Sequence, residues 1–415
     1  IGVGDVPVGG SPGGNNYFMK TFLIVGAGVT GLSTAYHLAR LKAGRIIVLE
    51  QGPIGNGSSS RAGGITSGLL WTETGVQARK IATKWFRHLS YELPGYTYHN
   101  EQGCLNLFSP ELWPTREKLL PLYDRLNAPY QILRADQIKA RWPQLNPPEN
   151  YLGLHDPLGG YSEPAEYLTA STAKVRSQGV EIREQVTVRE LLRKGDRITG
   201  VRTDEESLTA DTVILANYAW VLPLLATVGM SVPAKTFIHQ RFVSSPLPDV
   251  GRFPPVNADP YLGYIRPAAG NRLLLGIETP DVPDLKVDTM DYRMETLAEP
   301  WELVAPAVEL FAEFFPGIKQ LSWETIKVGL LSFSMDGEPI LGPLPGVEGL
   351  LMGCCFHSGG FSYNPAMGLF LAEYATTGTT SLDVSAFLPS RFAVNETTEY
   401  LTTSITQSQS FKRRH

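Results

Sequence analysis

The sequence predicts an α/β fold with a Rossmann-like domain, and three observations support this prediction. Residues 22–25 form an apolar strand pattern, and residues 26–31 continue it with the sequence Gly-Ala-Gly-Val-Thr-Gly. A helix pattern then leads to a second apolar strand pattern, which ends at Glu50, 22 residues after Gly28. This order of strand, glycine-rich turn, helix and acid-terminated strand is that of a dinucleotide-binding unit. At 415 residues the chain is long enough for a second domain.

Each position of the glycine-rich turn has a mechanical reason. Gly26 permits the tight turn, Gly28 lets a pyrophosphate approach the backbone, and Gly31 lets the helix pack against the strand. The helix N-terminus at Thr30 presents free N–H groups and partial positive charge to the phosphates. Glu50 can accept hydrogen bonds from both ribose hydroxyls, and its charge would repel a 2′-phosphate. We therefore predict a dinucleotide site, the alternative being a purely structural turn.

A run of small residues follows the second strand. Residues 52–68 are Gly-Pro-Ile-Gly-Asn-Gly-Ser-Ser-Ser-Arg-Ala-Gly-Gly-Ile-Thr-Ser-Gly. Such a segment cannot build a core, and it is typical of backbone that lies along a large planar ligand. The alternative is a flexible surface loop.

Composition and charge limit the class of protein. Apolar residues make up 43% of the chain and charged residues 19%, as in soluble globular proteins. The net charge of −5 and the pI near 5.9 argue against nucleic acid as a partner. No apolar run is long enough to span a membrane, and the three cysteines match neither a disulfide framework nor metal-site spacing. We therefore expect a cytoplasmic protein without a metal ion.

The two ends of the chain differ in composition from the rest. Residues 1–18 are rich in Gly, Pro and Asn, and we expect an unstructured or vector-derived leader there. Residues 393–415 contain many Thr, Ser and Gln residues and end in a basic cluster, so we expect a mobile C-terminal tail.

Four further motifs extend the pattern over almost the whole chain. They are Asp-Pro-Leu-Gly-Gly-Tyr-Ser-Glu-Pro at residues 156–164, Asp-Thr-Val-Ile-Leu-Ala at 211–216, Asp-Gly-Glu-Pro-Ile-Leu-Gly-Pro at 336–343, and His-Ser-Gly-Gly-Phe-Ser at 357–362. In this order they resemble the motifs of FAD-dependent amine and amino-acid oxidoreductases of the D-amino-acid oxidase superfamily. This group includes glycine oxidase, sarcosine oxidase and dimethylglycine dehydrogenase. One departure is Asn217-Tyr218, because small residues are usual at these two positions.

The resemblance implies a particular domain organisation. The Rossmann-like FAD-binding domain, of the GR2 type, would be built from three discontinuous segments, residues 19–97, 152–232 and 327–392. The substrate domain would comprise residues 98–151 and 233–326, with a mixed or antiparallel sheet and helices. Within this domain the apolar patterns predict strands at 237–243 and 273–277 and helices at 116–126 and 297–315.

The resemblance also implies FAD as the cofactor. The implied FAD-binding residues are Gly26, Gly28, Val29, Thr30, Gly31, Glu50, Gln51, Ser59, Ser60, Arg61, Ala62, Gly63, Gly64, Ile65, Val186, Ala216, Asn217, Trp220, Leu330, Asp336, Ser358, Gly359, Gly360, Phe361 and Ser362. Relatives that link FAD covalently use a Cys at the position of Gly329, or a His in the loop after the second strand. Because no His lies between His37 and His88, we expect FAD to be non-covalent. A helix starting near Pro365 would direct its N-terminus at the flavin and stabilise negative charge there.

The cations that hold a substrate carboxylate in this family are replaced here. Leu331 stands where glycine oxidase has an Arg, and Ser362 stands where sarcosine oxidase has a Lys. A buried carboxylate needs such charge-assisted bonds, so the substrate either lacks an α-carboxylate or uses another cation. The candidate cations, in order, are Arg266 in a Tyr-Ile-Arg-Pro motif resembling that of larger relatives, Arg241 and Arg61. A structural ion pair is the alternative for Arg266 and Arg241.

His239 and His357 are the histidines near these motifs. A substrate amine must be neutral before hydride leaves the neighbouring carbon, and either imidazole could tune that proton. A structural histidine is the alternative for each. The catalytic candidates are therefore His239, His357, Arg266 and Tyr264.

The leading hypothesis is an FAD-dependent oxidoreductase that oxidises a C–N bond of a secondary amine or amino-acid derivative. Hydride would move to flavin N5, and water would hydrolyse the resulting imine. The second hypothesis is a 2-hydroxy-acid dehydrogenase, because residues 64–69 faintly resemble a loop of 2-hydroxyglutarate dehydrogenases, although Thr66 replaces their His. The third is a non-catalytic flavin-binding protein.

One further comparison concerns the electron acceptor. Sarcosine oxidase has a Lys over the flavin that helps oxygen react, and alignment places Leu274 there, with Arg272 two residues away. Without this charge, we expect slow reaction with oxygen and a protein or artificial acceptor instead.

Overall fold

The structure, a computed structural model, describes residues 19–410, so the predicted leader at 1–18 lies outside the described residues. The strands are β1 Thr21–Val25, β2 Arg45–Leu49, β3 Ile65–Thr66, β4 Tyr98–His99, β5 Cys104–Phe108, β6 Gln131–Arg134, β7 Leu152–Asp156, β8 Gly160–Ser162, β9 Glu181–Arg183, β10 Val188–Lys194, β11 Arg197–Thr203, β12 Ser207–Thr209, β13 Thr212–Leu215, β14 Ala234–Ser244, β15 Val256–Ala258, β16 Gly263–Ala268, β17 Arg272–Ile277, β18 Trp323–Ser334, β19 Ile340–Pro343 and β20 Leu350–Cys354. The α-helices are α1 Val29–Arg40, α2 Ser58–Arg61, α3 Glu73–Glu92, α4 Trp113–Glu117, α5 Leu120–Arg125, α6 Ala135–Arg141, α7 Pro164–Ser177, α8 Val221–Ala226, α9 Val304–Phe311, α10 Gly360–Thr377 and α11 Val394–Thr402.

A six-stranded sheet carries the glycine-rich turn. Its strand order is β19-β20-β13-β1-β2-β9, and only the edge strand β19 runs antiparallel to its neighbour. Apolar side chains alternate along these strands, so Phe22 and Ile24 pack in one buried layer with α1 and α10. Leu23 and Val25 pack in the opposite layer with β10, β11 and α8. The sheet is therefore buried on both faces, as parallel sheets require, and the predicted α/β fold is confirmed.

An eight-stranded sheet lies on the other side of the molecule. Its order is β18-β14-β17-β16-β15-β5-β7-β6, and all pairs are antiparallel except β15 with β5. The predicted strands at 237–243 and 273–277 lie within β14 and β17. One face packs against α9 through a core that includes Phe311, and the other face contacts residues 58–65 through Arg241 and Arg266.

Two predicted helices are wrong in length. The helix predicted at 297–315 is limited to α9, because Leu297 is extended and Pro300 disfavours helical backbone in the residue before it. A short 3₁₀ turn at Trp301–Leu303 precedes α9. The helix predicted at 116–126 is divided into α4 and α5, because Pro121 lacks the N–H that a continuous helix would need.

Two predicted domain boundaries coincide with strands β7 and β18 of the eight-stranded sheet. Both lie in the eight-stranded sheet, so the boundaries predicted at residues 152 and 327 each fall at or inside a strand of that sheet. The assignment of residues to two domains stays a prediction. Among the helices of residues 19–410, none combines the length and the apolar character needed to cross a membrane.

The expectation of a mobile tail does not match the structure over residues 393–410. Helix α11 is followed by a segment that pairs with Pro283 at Thr406. The carboxylate of Asp284 accepts the Ile405 N–H at 2.8 Å and pairs with the buried Lys235 ammonium at 3.1 Å. Polar composition therefore misled the prediction, because these polar groups have specific partners in β14 and the segment before β18. Residues 411–415 lie outside the described part of the chain.

Candidate active site

A large cavity runs from the carboxyl ends of β1, β2 and β13 to the inner face of the eight-stranded sheet. It encloses about 1720 Å³ of space not filled by atoms, including its open mouth. The predicted site residues that line it are Gly26, Gly28, Val29, Thr30, Glu50, Gln51, Ser59, Arg61, Ala62, Gly63, Gly64, Ile65, Val186, Ala216, Asn217, Trp220, His239, Tyr264, Leu330, His357, Ser358, Gly360 and Phe361. Ligands bind at the carboxyl ends of parallel strands in such folds, because loops and helix N-termini meet there.

The glycine-rich turn forms one end of the cavity. Gly26 has φ of +102°, and a Cβ there would lie 2.7 Å from the carbonyl oxygen of Ala216. A Cβ on Gly31 would lie 1.9 Å from the Gly26 carbonyl oxygen, so Gly31 serves the packing of α1 and does not line the cavity. The Val29 N–H at the start of α1 donates to Ser59 Oγ at 3.1 Å. Gly26 and Gly31 must therefore be glycines, because neighbouring backbone atoms leave no space for a Cβ at either position.

Glu50 ends β2 with its carboxylate at the cavity. One oxygen accepts the Ala27 N–H at 2.8 Å, and the other accepts the Gly52 N–H at 3.0 Å. Burial raises the pKa of this carboxyl above its ordinary value, and these amide hydrogen bonds oppose the shift. The amides fix the carboxylate in place, and its remaining lone pairs can accept hydrogen bonds from ribose hydroxyls.

The segment Ser58–Ile65, which we call the flavin loop, is held by two arginines of the eight-stranded sheet. Arg241 donates to the carbonyl oxygens of Arg61 and Ser60, both at 3.0 Å. Arg266 donates to the Gly63 carbonyl oxygen at 2.6 Å. Neither arginine lines the cavity. The sheet therefore fixes the backbone of this loop through its carbonyl groups.

Arg266 was predicted to anchor the substrate, and the structure contradicts this. Its guanidinium is fully buried and pairs with the carboxylate of Glu163 at 2.6 Å. All three of its nitrogens are therefore bonded to the protein itself, through Glu163, Gly63 and the Pro267 carbonyl. Arg241, the second candidate, is occupied by the flavin loop in the same way. Arg266 thus forms the structural ion pair of the alternative, whereas Arg241 is bonded to backbone carbonyls and has no ion-pair partner within residues 19–410.

The third candidate, Arg61, lines the cavity but is also engaged. Its Nη1 donates to the Gly57 carbonyl oxygen at 2.9 Å, and Nη2 lies 3.6 Å from the carboxylate of Glu295. Its aliphatic stem covers Gly329, where a Cβ would lie 2.9 Å from Arg61 Cδ. The position of Gly329 is thus filled by an arginine stem in this chain.

A second loop, residues 356–361, closes the other side of the cavity. The predicted helix after it begins at Gly360 and not near Pro365, which lies inside α10. Tyr218, Cys355 and His357 have φ of 47°, 54° and 54°, a backbone conformation that non-glycine residues rarely adopt. Such strain concentrates where surrounding contacts determine the backbone, as at functional sites.

Tyr218 provides one of these contacts. Its hydroxyl accepts the Ser332 N–H at 2.7 Å and donates to the His357 carbonyl oxygen at 3.2 Å. It therefore joins β18 to the 356–361 loop. The sequence had marked this residue as a departure from the family pattern, although it was not predicted as a site residue.

Several other predicted residues do not line the main cavity. Asp336 pairs with Arg391 at 2.8 Å and accepts the Ser334 hydroxyl, which makes it a structural carboxylate. Ser362 donates to the Ile65 carbonyl oxygen at 2.6 Å and thus holds the flavin loop from behind. Ser60 contributes its carbonyl to Arg241, and Gly359 faces a smaller adjoining cavity. These residues support the cavity wall and are not part of its surface.

The substrate end of the cavity lies on the inner face of the eight-stranded sheet. His239 Nε2 and the Tyr264 hydroxyl are 3.2 Å apart, and their rings are stacked with centroids 5.7 Å apart. Burial raises the pKa of the Tyr264 hydroxyl to about 12, although the nearby charges of Arg241 and Arg266 oppose the shift. Asn257, on the neighbouring strand β15, also lines this end. The arrangement offers a neutral phenol and an imidazole within reach of one another.

Sequence reasoning missed some lining residues. They include Asn56, Tyr218, Asn257, Arg293, Met294 and Glu295. Only Tyr218 carried a signal, as a departure from a motif. Asn56 lies in the small-residue run at 52–68 but was not predicted individually, and the others come from segments without a recognisable pattern, such as the three-residue strand β15.

Comparison with known proteins decides the family. Residues 21–374 match the sequence pattern of the family described as "DAO: FAD dependent oxidoreductase". The chain belongs to this family. The family's description gives FAD as the cofactor and oxidoreduction as the class of reaction.

Three relatives illustrate the similarity. One is 4-methylaminobutanoate oxidase (formaldehyde-forming) of Paenarthrobacter nicotinovorans, which is 29% identical over 380 residues, covering 89% of this chain and 45% of that protein. Mitochondrial dimethylglycine dehydrogenase of Mus musculus is 24% identical, with 94% and 46% covered. Glycine oxidase of Pseudomonas putida is 27% identical, with 89% and 98% covered. The chain spans about half the length of the first two relatives and nearly all of the third.

Solved structures share the fold. L-proline dehydrogenase from P. horikoshii superposes with a TM-score of 0.82 at 23% identity, covering 90% of this chain and 98% of that one. Glycine oxidase from Geobacillus kaustophilus gives a TM-score of 0.74 at 22% identity, with 90% and 100% covered. At this identity the likeness concerns the fold alone.

The cavity of this family member fits FAD. Its glycine-rich end leaves no room for a Cβ at Gly26, as a turn under a pyrophosphate requires. Glu50 provides an acceptor for ribose hydroxyls, and the 356–361 loop with the N-terminus of α10 provides a site for negative charge. The cavity is continuous between these ends and encloses about 1720 Å³ including its open mouth.

Proposed function

We propose that this protein oxidises a C–N bond of a secondary amine that carries no α-carboxylate. The observation that carries the proposal is the substrate end of the cavity, where His239 and Tyr264 are paired while Leu331 lines the wall. In the described part of the chain no lysine lines the cavity, and its arginines, Arg61 and Arg293, are bonded to protein groups. A buried α-carboxylate would lack a charged partner there.

The chain's own residues would position the amine and manage its proton. FAD supplies the acceptor for the hydride. Tyr264 stays protonated at neutral pH because burial raises its pKa to about 12, so its hydroxyl can donate to the substrate and share a hydrogen bond with His239. The pair can hold the substrate nitrogen in its neutral form, which amine oxidation requires. Water would then hydrolyse the imine formed.

The relatives support this class of substrate. The 4-methylaminobutanoate oxidase named above acts on a methylamino group, according to its name, and its name adds that formaldehyde is formed. We propose an N-methyl or similar secondary amine for this chain. We further propose that FAD is bound without a covalent link. Gly329, the position of the linking Cys in some relatives, is packed against Arg61. In addition, the three cysteines are free and buried, and none of them lines the cavity. Buried free thiols also support a reducing, cytoplasmic location.

The test is anaerobic bleaching of the purified holoenzyme in single turnover. N-methyl amines without an α-carboxylate should bleach the flavin faster than sarcosine or dimethylglycine, and 2-hydroxy acids should not bleach it. The Tyr264→Phe variant should bind FAD normally and bleach more slowly. If a 2-hydroxy acid bleached the flavin faster than any amine, the proposal would be wrong and the protein would be a 2-hydroxy-acid dehydrogenase.

A non-catalytic role is the second candidate, and one comparison favours it. Mitochondrial pyruvate dehydrogenase phosphatase regulatory subunit of Mus musculus is 25% identical over 373 residues, covering 87% of this chain and 42% of that protein. Its name denotes a regulatory subunit. Full FAD loading with no bleaching by any amine in the panel would favour this role.

For the electron acceptor we propose a protein and not oxygen. Leu274 is buried and uncharged, and Arg272 is bonded to Glu324 at 2.6 Å and to the Ser244 carbonyl oxygen. Neither lines the cavity, so neither places a positive charge beside the flavin.

A further inference from the structure

Arg79, in the middle of α3, is a buried cation without an ion-pair partner. Its side chain is fully buried, and no carboxylate of residues 19–410 lies within ion-pair distance of it. One nitrogen, Nη1, lies 3.4 Å from the Ser67 carbonyl oxygen. The other two, Nε and Nη2, make no hydrogen bond of good geometry, and the side chain of Tyr363 is the polar group that interacts with the guanidinium. Buried arginines that serve packing alone are normally paired.

The guanidinium lies between the two loops that wall the cavity. It contacts Ser67, which lines the cavity two residues after the flavin loop, and it lies against Gly359 in the 356–361 loop. A Cβ on Gly359 would come within 2.2 Å of Nη2, so glycine at this position leaves the space that the guanidinium fills. The ring of Tyr363, one turn into α10, lies 4.0 Å from the guanidinium carbon.

An uncompensated buried charge costs free energy, so its presence calls for an explanation. The buried carboxylate of Asp156 does not pair with Arg79, because its oxygens accept hydrogen bonds from the N–H groups of Gly68 and Leu158. The Tyr363 ring face is attractive to a cation, but the attraction is smaller than that of an ion pair. Burial lowers the pKa of Arg79 below its ordinary value, yet an arginine remains charged in proteins.

We propose that Arg79 stabilises negative charge on the reduced flavin, acting from behind the 356–361 loop together with the N-terminus of α10. Two-electron reduction leaves negative charge at the pyrimidine end of a flavin, and a fixed positive charge in a water-excluded site stabilises it. Arg79 raises the reduction potential of the bound cofactor in this way. The proposal rests on FAD binding and does not depend on which amine is the substrate.

The test measures the cofactor and not turnover. Sulfite adds to oxidised flavin and places negative charge on the same end of the ring, so its dissociation constant reports the local positive charge. We expect Arg79→Met to raise the sulfite dissociation constant at least about tenfold and to lower the midpoint potential. A tenfold change in the stability of the reduced form corresponds to about 30 mV for a two-electron couple. Arg79→Lys, which keeps the charge, should recover most of both values.

The matched control is Arg116→Met. Arg116 is equally buried and donates to the Leu69 carbonyl oxygen at 2.9 Å, but its guanidinium lies over the rings of Trp71 and Phe108 and not against Gly359 of the 356–361 loop. Its removal should leave the sulfite constant within about twofold of the original value. Equal changes in the two variants, or no change in Arg79→Met, would overturn the proposal. If Arg79→Met does not retain FAD, Arg79→Gln replaces it, and failure of both neutral variants to retain FAD would show a structural role instead.

Discussion

Arg266 donates two hydrogen bonds to the carboxylate of Glu163, at 2.6 and 3.1 Å, in the interior of the protein. The same carboxylate accepts the Ala269 N–H at 3.0 Å. The positive charge is thus neutralised between β16 and the start of α7, and the third contact of Arg266 fixes the Gly63 carbonyl in the flavin loop. A residue that resembles a substrate anchor in sequence is a structural ion pair in three dimensions.

The first prediction concerns this pair. Arg266→Met leaves the Glu163 carboxylate buried and unpaired, so the free energy of unfolding should fall by about 3–5 kcal/mol. The effect on acidic and neutral amine substrates should be the same, because Arg266 does not line the cavity. Chemical denaturation and substrate saturation curves measure the two effects. A selective loss of affinity for acidic substrates would restore the anchor hypothesis.

The pH dependence of the pair provides its control. Burial alone would raise the pKa of Glu163, but the charge and hydrogen bonds of Arg266 outweigh it and hold the pKa below its ordinary value. The pair therefore stabilises the fold above the ordinary pKa of a Glu, and this contribution is lost as the pH falls through the lowered pKa. Glu163→Gln should remove that acid-dependent part of the unfolding free energy.

The second prediction concerns Glu50. Glu50→Gln should weaken FAD binding by about 1–3 kcal/mol, because the charged acceptor for ribose is lost. Burial raises the pKa of Glu50. When the pH is lowered, the original protein should therefore lose FAD affinity at a higher pH than it would if Glu50 had the ordinary pKa of a Glu. In the apoprotein the sign is opposite, since ionising this buried group costs stability as the pH rises through its pKa. Titration of apoprotein with FAD at several pH values measures the first effect, and a pH-dependent affinity in Glu50→Gln would contradict it.

The third prediction separates Asp336 from the cofactor site. Asp336→Asn should reduce the free energy of unfolding by about 1 kcal/mol, the scale of a partly exposed ion pair with Arg391. FAD affinity should not change, because Asp336 does not line the cavity. Thermal unfolding and FAD titration test both statements, and weaker FAD binding without loss of stability would return Asp336 to the site.

The fourth prediction concerns oxygen. Reduced enzyme should react at least about tenfold more slowly with oxygen than with an artificial acceptor, where each factor of ten is about 1.4 kcal/mol. The reason is that Leu274 and Arg272 place no charge at the cavity. Stopped-flow mixing of reduced enzyme with oxygen measures the rate. Fast reoxidation that disappears in Arg272→Met would identify an oxidase.

The dinucleotide end of the site was predictable because its chemistry is local. The turn, α1 and Glu50 lie within one continuous βαβ unit, so the spacing of Gly26, Gly28 and Gly31 contains nearly all the geometry. The role of Arg266 was not predictable from local sequence. Its partner is 103 residues away, and only the tertiary fold brings the two together.

The limits of the other predictions have similar physical causes. Apolar periodicity identified β14 and β17, but it could not place the helix ends that Pro121 and Pro300 determine. Composition predicted a mobile tail, although the polar groups near Ile405 have partners provided by Asp284. Asn257 was missed because a short strand without a motif gives no signal.

The hydrogen bonds from Arg241 and Arg266 to the flavin loop have a thermodynamic consequence. A ligand that binds only the folded state stabilises every element whose unfolding would release it. Because β14 and β16 hold the loop through carbonyls of Ser60, Arg61 and Gly63, the FAD-binding free energy is shared with the eight-stranded sheet. The two sheets should thus form one cooperative unit of hydrogen exchange in the holoprotein and two separate units in the apoprotein.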